Sequence, residues 1–227
     1  MYINRRLLNY LFTEDHTYYG SVDDYTTTRQ PLGGLVVTRG SLMIGDPYAI
    51  NLGNRISASV PDGAYAAWAY TFENDIDHDV RVAALLVNLS APIEEQPGKE
   101  EDAVFPDLVR PSKWHMCLPR ETREADLPSD AYYGVSTESG NVTVAAEQTV
   151  DWLIEHVQQS ADVLERIESE IGESYFTAGG ISNVRLPEMR ANLITVVGGT
   201  DKGVFPAYLG YADGKPVCLA VDFLMSD

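Results

Sequence analysis

Four histidines are the first candidates for metal chemistry: His16, His78, His115 and His156. Their intervals match none of the short ligand spacings of zinc sites. The densest group of further ligands is a turn made of Asp75, Asp77, His78 and Asp79. Oxygen ligands on a turn suit calcium, but the turn lacks the glycine and the final glutamate of a calcium-binding loop. We therefore interpret the turn as solvated acids and predict no metal and no cofactor.

The sequence also lacks two other kinds of catalytic motif. The glycine-rich residues 198–203 lack the Gly-Lys-Ser/Thr ending that holds phosphate and magnesium, so they predict a turn between strands. Neither Cys117 nor any serine lies in a nucleophile-elbow context. Because catalytic triads are defined by geometry rather than by order in the chain, catalysis is unsupported but not excluded.

Aromatic residues supply much of the contact area in small-molecule sites. Trp68, Trp114 and Trp152, together with 13 tyrosines, are therefore candidates for a ligand pocket, although core packing is the favoured role for large rings. A local group of basic residues would complement an anionic ligand such as a signalling nucleotide. The candidates for that group are Arg81, Arg110, Lys113, Arg185 and Lys202.

The overall charge argues against several partners. Lysine and arginine number 16, against 34 aspartates and glutamates, and the net charge is −18. Such a chain repels nucleic acids and anionic membranes, so we predict neither as a partner. Solubility explains the charge without any partner, whereas a basic protein partner would be attracted by it.

The sequence also bears on location. The apolar stretch after Arg5 and Arg6 is too short for a signal peptide, and no run approaches the roughly 18 apolar residues of a membrane helix. Only Cys117 and Cys218 could form a disulfide, and the chain shows no disulfide-dense pattern. We expect a cytoplasmic protein with reduced thiols.

Apolar periodicity predicts an α+β fold in one domain, residues 1–227. A short helix over residues 2–12 and a polar connector to residue 32 precede a core over residues 33–227. That core is mainly an antiparallel sheet with one long amphipathic helix at residues 145–171, ending at Gly172. A hairpin turns at Asp213 and Gly214. Strands are predicted at residues 35–37, 41–44, 56–60, 65–72, 80–89, 192–197, 205–211 and 217–224.

An ordered set of motifs carries a family resemblance. The clearest are DKGVFPAYLG at 201–210, DGKPV at 213–217 and DFL at 222–224, preceded by GLV at 34–36, Gly40, DP at 46–47, VPDGAY at 60–65, RVAA at 81–84, Trp114 and YGV at 133–135. In this order the chain resembles the bacterial domain-of-unknown-function family 4241 over roughly residues 33–227. The family name implies no activity. Where the resemblance implies acidic residues, Ser136 and Val144 stand instead, which argues against carboxylate chemistry there.

Among the polar residues that the motifs share, three aspartates are the best candidates for a common role. They are Asp46, Asp201 and Asp222. An aspartate beside proline or glycine more often ties a turn together, so a structural role is the alternative. The full set of candidate ligand-binding residues is Asp46, Trp68, Arg81, Trp114, Asp201, Tyr208 and Asp222.

Three hypotheses follow. The first is a non-enzymatic acidic protein that masks a basic partner, in the manner of an immunity or anti-defence protein, since we associate the resembled family with bacterial and phage conflict. The second is a small-molecule binder or sponge that uses the aromatic and basic residues. The third is a hydrolase that uses Asp46, Asp201 and Asp222, and it requires these side chains to meet in space.

Overall fold

A computed structural model describes residues 8, 11–12, 17–19, 24–56, 58–74, 80–93, 105–118, 134–157, 161–177, 180–198 and 202–223. This part of the chain contains fourteen strands, two α-helices and a short 3-10 helix, Pro47–Leu52. The helices are α1 (Glu147–Val157) and α2 (Ala161–Thr177). The strands are β1 (Thr17–Tyr19), β2 (Asp24–Val37), β3 (Leu42–Gly45), β4 (Asn54–Ile56), β5 (Gly63–Asn74), β6 (Val80–Asn88), β7 (Lys113–Met116), β8 (Val135–Thr137), β9 (Asn141–Ala146), β10 (Ile181–Leu186), β11 (Ala191–Val197), β12 (Gly203–Phe205), β13 (Ala207–Ala212) and β14 (Lys215–Asp222).

The strands form three antiparallel sheets. Sheet A has the order β1-β2-β5-β6-β14-β13-β7, and sheet B has the order β10-β11-β9-β3-β4. A small third sheet pairs β12 with β8. Residues far apart in sequence therefore lie on neighbouring strands, as where Asp222 of β14 pairs with Ala84 of β6.

Sheets A and B pack face to face, and each also buries its outer face. The core between the sheets contains Leu35, Tyr65 and Leu85 of sheet A and Ile44 and Ile194 of sheet B. The helices cover the outer face of sheet B, and residues before β1 and between β6 and β7 cover the outer face of sheet A. Because both faces are covered, the central strands are apolar at nearly every position.

Strand β5 shows how this arrangement follows from the sequence. Tyr65, Ala67 and Ala69 face the core between the sheets, while Trp68 and Tyr70 face outward. Side chains alternate between the two faces of a strand, and small alanines opposite large rings let both layers pack closely. The outer face of sheet A is consequently rich in aromatic residues.

Two asparagines join the sheets at the edge of β2. The Asn192 side chain accepts a hydrogen bond from the Val36 backbone N–H at 2.8 Å and donates to the Gly34 carbonyl at 2.7 Å. Asn192 also donates to Asn183, which donates to the Leu32 carbonyl. Backbone groups on a strand edge need partners, and here side chains of sheet B supply them.

The predicted fold class was wrong. The described structure is mainly antiparallel β-sheet with two short helices, not an α+β fold with one long helix. Five strands went unpredicted, β1 and β7 to β10, because three to six residues are too few to establish a two-residue period in sequence. Long helical patterns were easier to detect, which biased the prediction toward helix.

The single helix predicted at residues 145–171 is a strand end followed by two helices. Strand β9 runs to Ala146, α1 begins at Glu147, and α2 begins at Ala161. Gly172 does not end a helix, because α2 continues to Thr177. A helical glycine costs only about 1 kcal/mol relative to alanine, which the packing of α2 on sheet B can offset.

The N-terminal connector was also wrong in part. Within the connector predicted up to residue 32, residues 17–19 form β1 and residues 24–32 belong to β2. Threonine is β-branched and favours strands, but its polarity made the segment resemble a loop. Of the helix predicted at residues 2–12, only Leu8, which is helical, and Leu11 and Phe12, which form a turn, lie within the described residues.

Other predictions were confirmed. Strands occupy most of the predicted strand positions, and β13 and β14 form the predicted hairpin. Asp213 and Gly214 have φ of 50° and 74°, as a two-residue turn with positive φ at both positions requires.

No helix among the described residues is long and apolar enough to cross a membrane.

Both cysteines are free and buried, on opposite sides of sheet A. Cys117 packs between the sheets, whereas Cys218 faces outward from β14, with β13 lying between them. Burial raises the pKa of the Cys117 thiol, and it raises the pKa of Cys218 to about 12. Both thiols therefore stay protonated at neutral pH, which makes them poor nucleophiles.

Candidate functional site

Four of the predicted ligand-binding residues share the outer face of sheet A. Trp68, Trp114 and Tyr208 belong to the apolar cluster on that face. Asp222 lies two residues after Ala220, a member of the same cluster, so strand alternation directs its side chain to the same side. We call this surface the aromatic face. It brings together residues from β5, β7, β13 and β14.

Trp68 is held between a cation and a second ring. The guanidinium carbon of Arg29 lies 5.5 Å from the centroid of the Trp68 ring, and the Phe105 ring centroid lies 5.6 Å away. A guanidinium over an indole is a favourable cation–π arrangement. Trp68 is only 6% exposed whereas Arg29 is exposed, so the pair extends from the buried face to the solvent.

Asp222 and Tyr208 place two polar groups within this apolar surface. Both residues are 0% exposed. They lie close together, since Tyr208 pairs with Ala220, two residues before Asp222, on the neighbouring strand. A buried carboxylate is costly unless donors surround it, so this position favours hydrogen-bond donors or a cation.

The aromatic face is covered by residues from two other parts of the chain. Leu8 and Leu11 are each 1% exposed and pack in the cluster, and the Tyr70 hydroxyl donates a hydrogen bond to the Leu11 carbonyl. The Phe12 and Trp114 ring centroids are 6.2 Å apart. Leu108 packs against the same cluster from the segment before β7.

Asp46 has a structural role at the end of β3 in sheet B. One carboxylate oxygen accepts the Tyr48 N–H at 2.9 Å and caps the 3-10 helix. The other accepts the N–H groups of Glu138 and Ser139, each at 2.9 Å. The side chain is buried and joins two loops, which is the alternative that the sequence left open.

The structure places two of the three candidate aspartates, Asp46 and Asp222, at different sheets. Asp46 follows β3 of sheet B, whereas Asp222 points away from sheet B on the aromatic face. Asp201 lies outside the described residues. Asp46 and Asp222 therefore do not form the carboxylate pair that the hydrolase hypothesis requires.

The predicted basic group is also dispersed. Arg81 is exposed near the start of β6, Arg185 is exposed on β10, and Lys202 forms an ion pair with Glu138. Only Arg110 and Lys113 are neighbours, before and within β7. Arg29 lies beside the candidate aromatic residue Trp68. It was not among the predicted basic residues, because it falls within the predicted connector.

The helical layer concentrates negative charge. Residues 147–177 contain eight acidic residues, one arginine and no lysine. In α2 the exposed residues Asp162, Glu165 and Glu168 recur every three positions, and we call them the acidic ridge. Arg166, also in α2, donates hydrogen bonds to both carboxylate oxygens of Glu188, at 3.0 and 3.3 Å.

A second arginine, Arg55, connects α1 to sheet B. Arg55 of β4 forms ion pairs with Glu147 and Asp151 of α1. Burial raises the pKa of Glu170 on α2, partly opposed by Arg166. The hydrogen bonds from Arg166 lower the pKa of Glu188. The arginines thus bind the edges of the helical layer to sheet B and leave the acidic ridge facing outward.

The described residues contain no group of three or more histidine, cysteine, aspartate or glutamate side chains that could hold a metal ion. The acidic turn at Asp75 and Asp79 lies outside them.

Comparison with known protein families identifies a match over most of the chain. Residues 35–221 match a family model described as "Protein of unknown function (DUF4241)", which confirms the resemblance predicted from the motifs. No curated protein and no solved structure matches the chain significantly.

Proposed function

Because the chain belongs to the DUF4241 family, whose description assigns no activity, we propose from the structure that it is a non-enzymatic binding protein for a basic protein partner. The acidic ridge on α2 is the observation that supports this proposal. Cytoplasmic residence and a masking role of the immunity type belong to the same proposal.

The ridge is unfavourable for the helix that carries it. Like charges three positions apart on a helix repel by a few tenths of a kcal/mol per pair. A basic partner would relieve this repulsion and would be steered to the ridge by the field of the chain.

The test is a charge-matched comparison of two triple variants. The first neutralises the ridge by Asp162→Asn, Glu165→Gln and Glu168→Gln. The control removes three exposed acids among the sheet A elements by Asp62→Asn, Asp107→Asn and Asp213→Asn. A basic protein would be captured from host lysate with the wild type, identified by mass spectrometry, and its Kd measured with each protein.

We expect neutralising the ridge to weaken binding by about 30-fold, because three exposed charge contacts contribute about 2 kcal/mol. The control should change Kd by less than about threefold, and raising the salt concentration should weaken wild-type binding. Equal losses in both variants would show that only net charge matters, and no loss in either would refute the proposal.

A second candidate function is the binding of a small anionic molecule at the aromatic face. The exposed Arg29 guanidinium over the buried Trp68 ring supports it, because a cation next to buried rings suits an aromatic anion. Native mass spectrometry of the protein from its host should then reveal a retained molecule of nucleotide size. We expect Arg29→Gln to lower its occupancy about tenfold, and Arg185→Gln on sheet B to leave it unchanged. A ligand indifferent to Arg29 would contradict this assignment.

A further inference from the structure

The sequence contains two Asp-Gly pairs, Asp62–Gly63 and Asp213–Gly214, and both lie within the described residues. In such a pair the glycine amide nitrogen can attack the aspartate side chain, because the glycine has no β-carbon to hinder the approach. Both aspartates are exposed. The two pairs therefore share their chemistry and their contact with water, and they differ in how the glycine backbone is held.

The Gly63 amide is fixed within sheet A. Gly63 pairs with Val37 of β2, and the next carbonyl along β5, that of Ala64, accepts a hydrogen bond from the Ile93 N–H at 2.7 Å. Backbone groups of successive strand residues point to opposite sides, so the Gly63 N–H is directed at Val37. A Cβ added at Gly63 would also lie 2.9 Å from the Pro92 Cβ. The Gly63 nitrogen is thus both hydrogen-bonded and crowded.

The Gly214 amide lies outside the ladder of its hairpin. Asp213 and Gly214 are the two central residues of the turn, and the flanking pair Ala212 and Lys215 makes the closing hydrogen bonds of such a turn. Both central residues are exposed. Among the described residues, and apart from the chain neighbours, no atom lies within 4 Å of a Cβ added at Gly214. The Gly214 nitrogen is therefore neither held by a strand nor crowded.

A bulge separates this turn from the rest of the hairpin. The register of β13 and β14 shifts between Gly210 and Tyr211, and residues 211–216, which we call the hairpin tip, are exposed or half-buried. Attack on the Asp213 side chain requires the tip to open, because Asp213 must leave its left-handed conformation, which is strained for a residue with a Cβ. The ladder of residues 207–210 continues without the tip, so this opening breaks few hydrogen bonds.

We propose that Asp213–Gly214 is a site of spontaneous aspartate isomerisation. The Gly214 nitrogen bonds to the carboxyl carbon of Asp213, its proton and the carboxyl hydroxyl leave as water, and a succinimide ring forms. Water then adds to the former backbone carbonyl carbon and breaks its bond to the Gly214 nitrogen. The product, isoaspartate, has the mass of aspartate and an additional methylene in the backbone, and no oxidation or reduction occurs. Its freed carboxylate is a group of the class that isoaspartate methyltransferases take as substrate.

The experiment stores the full wild-type chain at neutral pH, folded in buffer and unfolded in urea, and follows both aspartates in time. Liquid chromatography separates the aspartate and isoaspartate forms of each proteolytic peptide, and electron-transfer fragmentation locates the isoaspartate. In urea the two sites should react at similar rates, because no structure distinguishes them. In the folded chain we expect isoaspartate to form at least about tenfold faster at Asp213 than at Asp62, because the hairpin tip opens more readily than the Gly63 ladder.

A variant and an enzymatic label test the assignment independently. An isoaspartate methyltransferase with labelled S-adenosylmethionine should modify the stored, folded wild type, and Asp213→Glu should remove most of this label, because glutamate would have to form a larger and slower ring. The proposal is overturned if the folded chain reacts equally at Asp62 and Asp213, or if Asp213 reacts in urea but not in the folded chain. A label that Asp213→Glu leaves unchanged would likewise place the reaction elsewhere. None of these outcomes bears on the proposed function.

Discussion

Replacing Asp46 by alanine is expected to lower the free energy of unfolding by about 4 kcal/mol. The carboxylate accepts three backbone hydrogen bonds from two separate loops, and it is buried. Hydrogen bonds to a charged group contribute about 1.5–3 kcal/mol each, and these three are partly shielded from water. Equilibrium urea unfolding followed by circular dichroism measures the change.

Two further variants sharpen the Asp46 prediction. Asp46→Asn keeps one acceptor oxygen and should lose about half as much stability as Asp46→Ala. Asp62→Ala removes an exposed aspartate from another turn and should cost less than about 0.5 kcal/mol. If Asp46→Ala proved as mild as Asp62→Ala, the aspartate would not be holding the loops, and its presence in a shared motif would need another explanation.

Replacing Asn192 by alanine should cost about 3 kcal/mol, the second largest effect that the structure predicts. The substitution would deprive the Val36 N–H and the Gly34 carbonyl of their partners at a buried junction between the sheets. An unsatisfied buried group costs about 1–3 kcal/mol. Thermal and urea unfolding would both report the loss.

The control is Asn51→Ala, an exposed asparagine in the 3-10 helix, which should leave stability within about 0.5 kcal/mol of the wild type. A double-mutant cycle with Asn183→Ala should show coupling, because Asn192 donates to Asn183 at 2.6 Å. Purely additive losses would mean that the two asparagines act independently and do not form one junction.

Local patterns in the sequence predicted the regular strands and the hairpin but not the balance of helix and sheet. The turn at Asp213 and Gly214 was predictable because both residues tolerate positive φ. Strand β2 was missed from Asp24 to Gly34 because its threonines look like a polar loop. The boundary between β9 and α1 was missed because apolar residues on a buried strand and on an amphipathic helix can continue one apparent period.

The candidate site was only partly predictable for a related reason. Residue type alone suggested Trp68 and Trp114, and shared motifs suggested Tyr208 and Asp222. That these four lie on one face depends on strand order, which pairs β14 with β6 across more than a hundred residues. Arg29 was missed because its role arises only from its position over Trp68.

The position of β13 and β14 within sheet A has a consequence for biosynthesis. This hairpin is translated after every other described strand, yet it lies between β6 and β7. Until it emerges from the ribosome, β6 presents an unpaired edge, and an unpaired edge invites pairing with other chains. Such long-range pairing also makes folding slow, in milliseconds to seconds. Nascent chains of this protein are therefore expected to need chaperone protection until the last hairpin inserts.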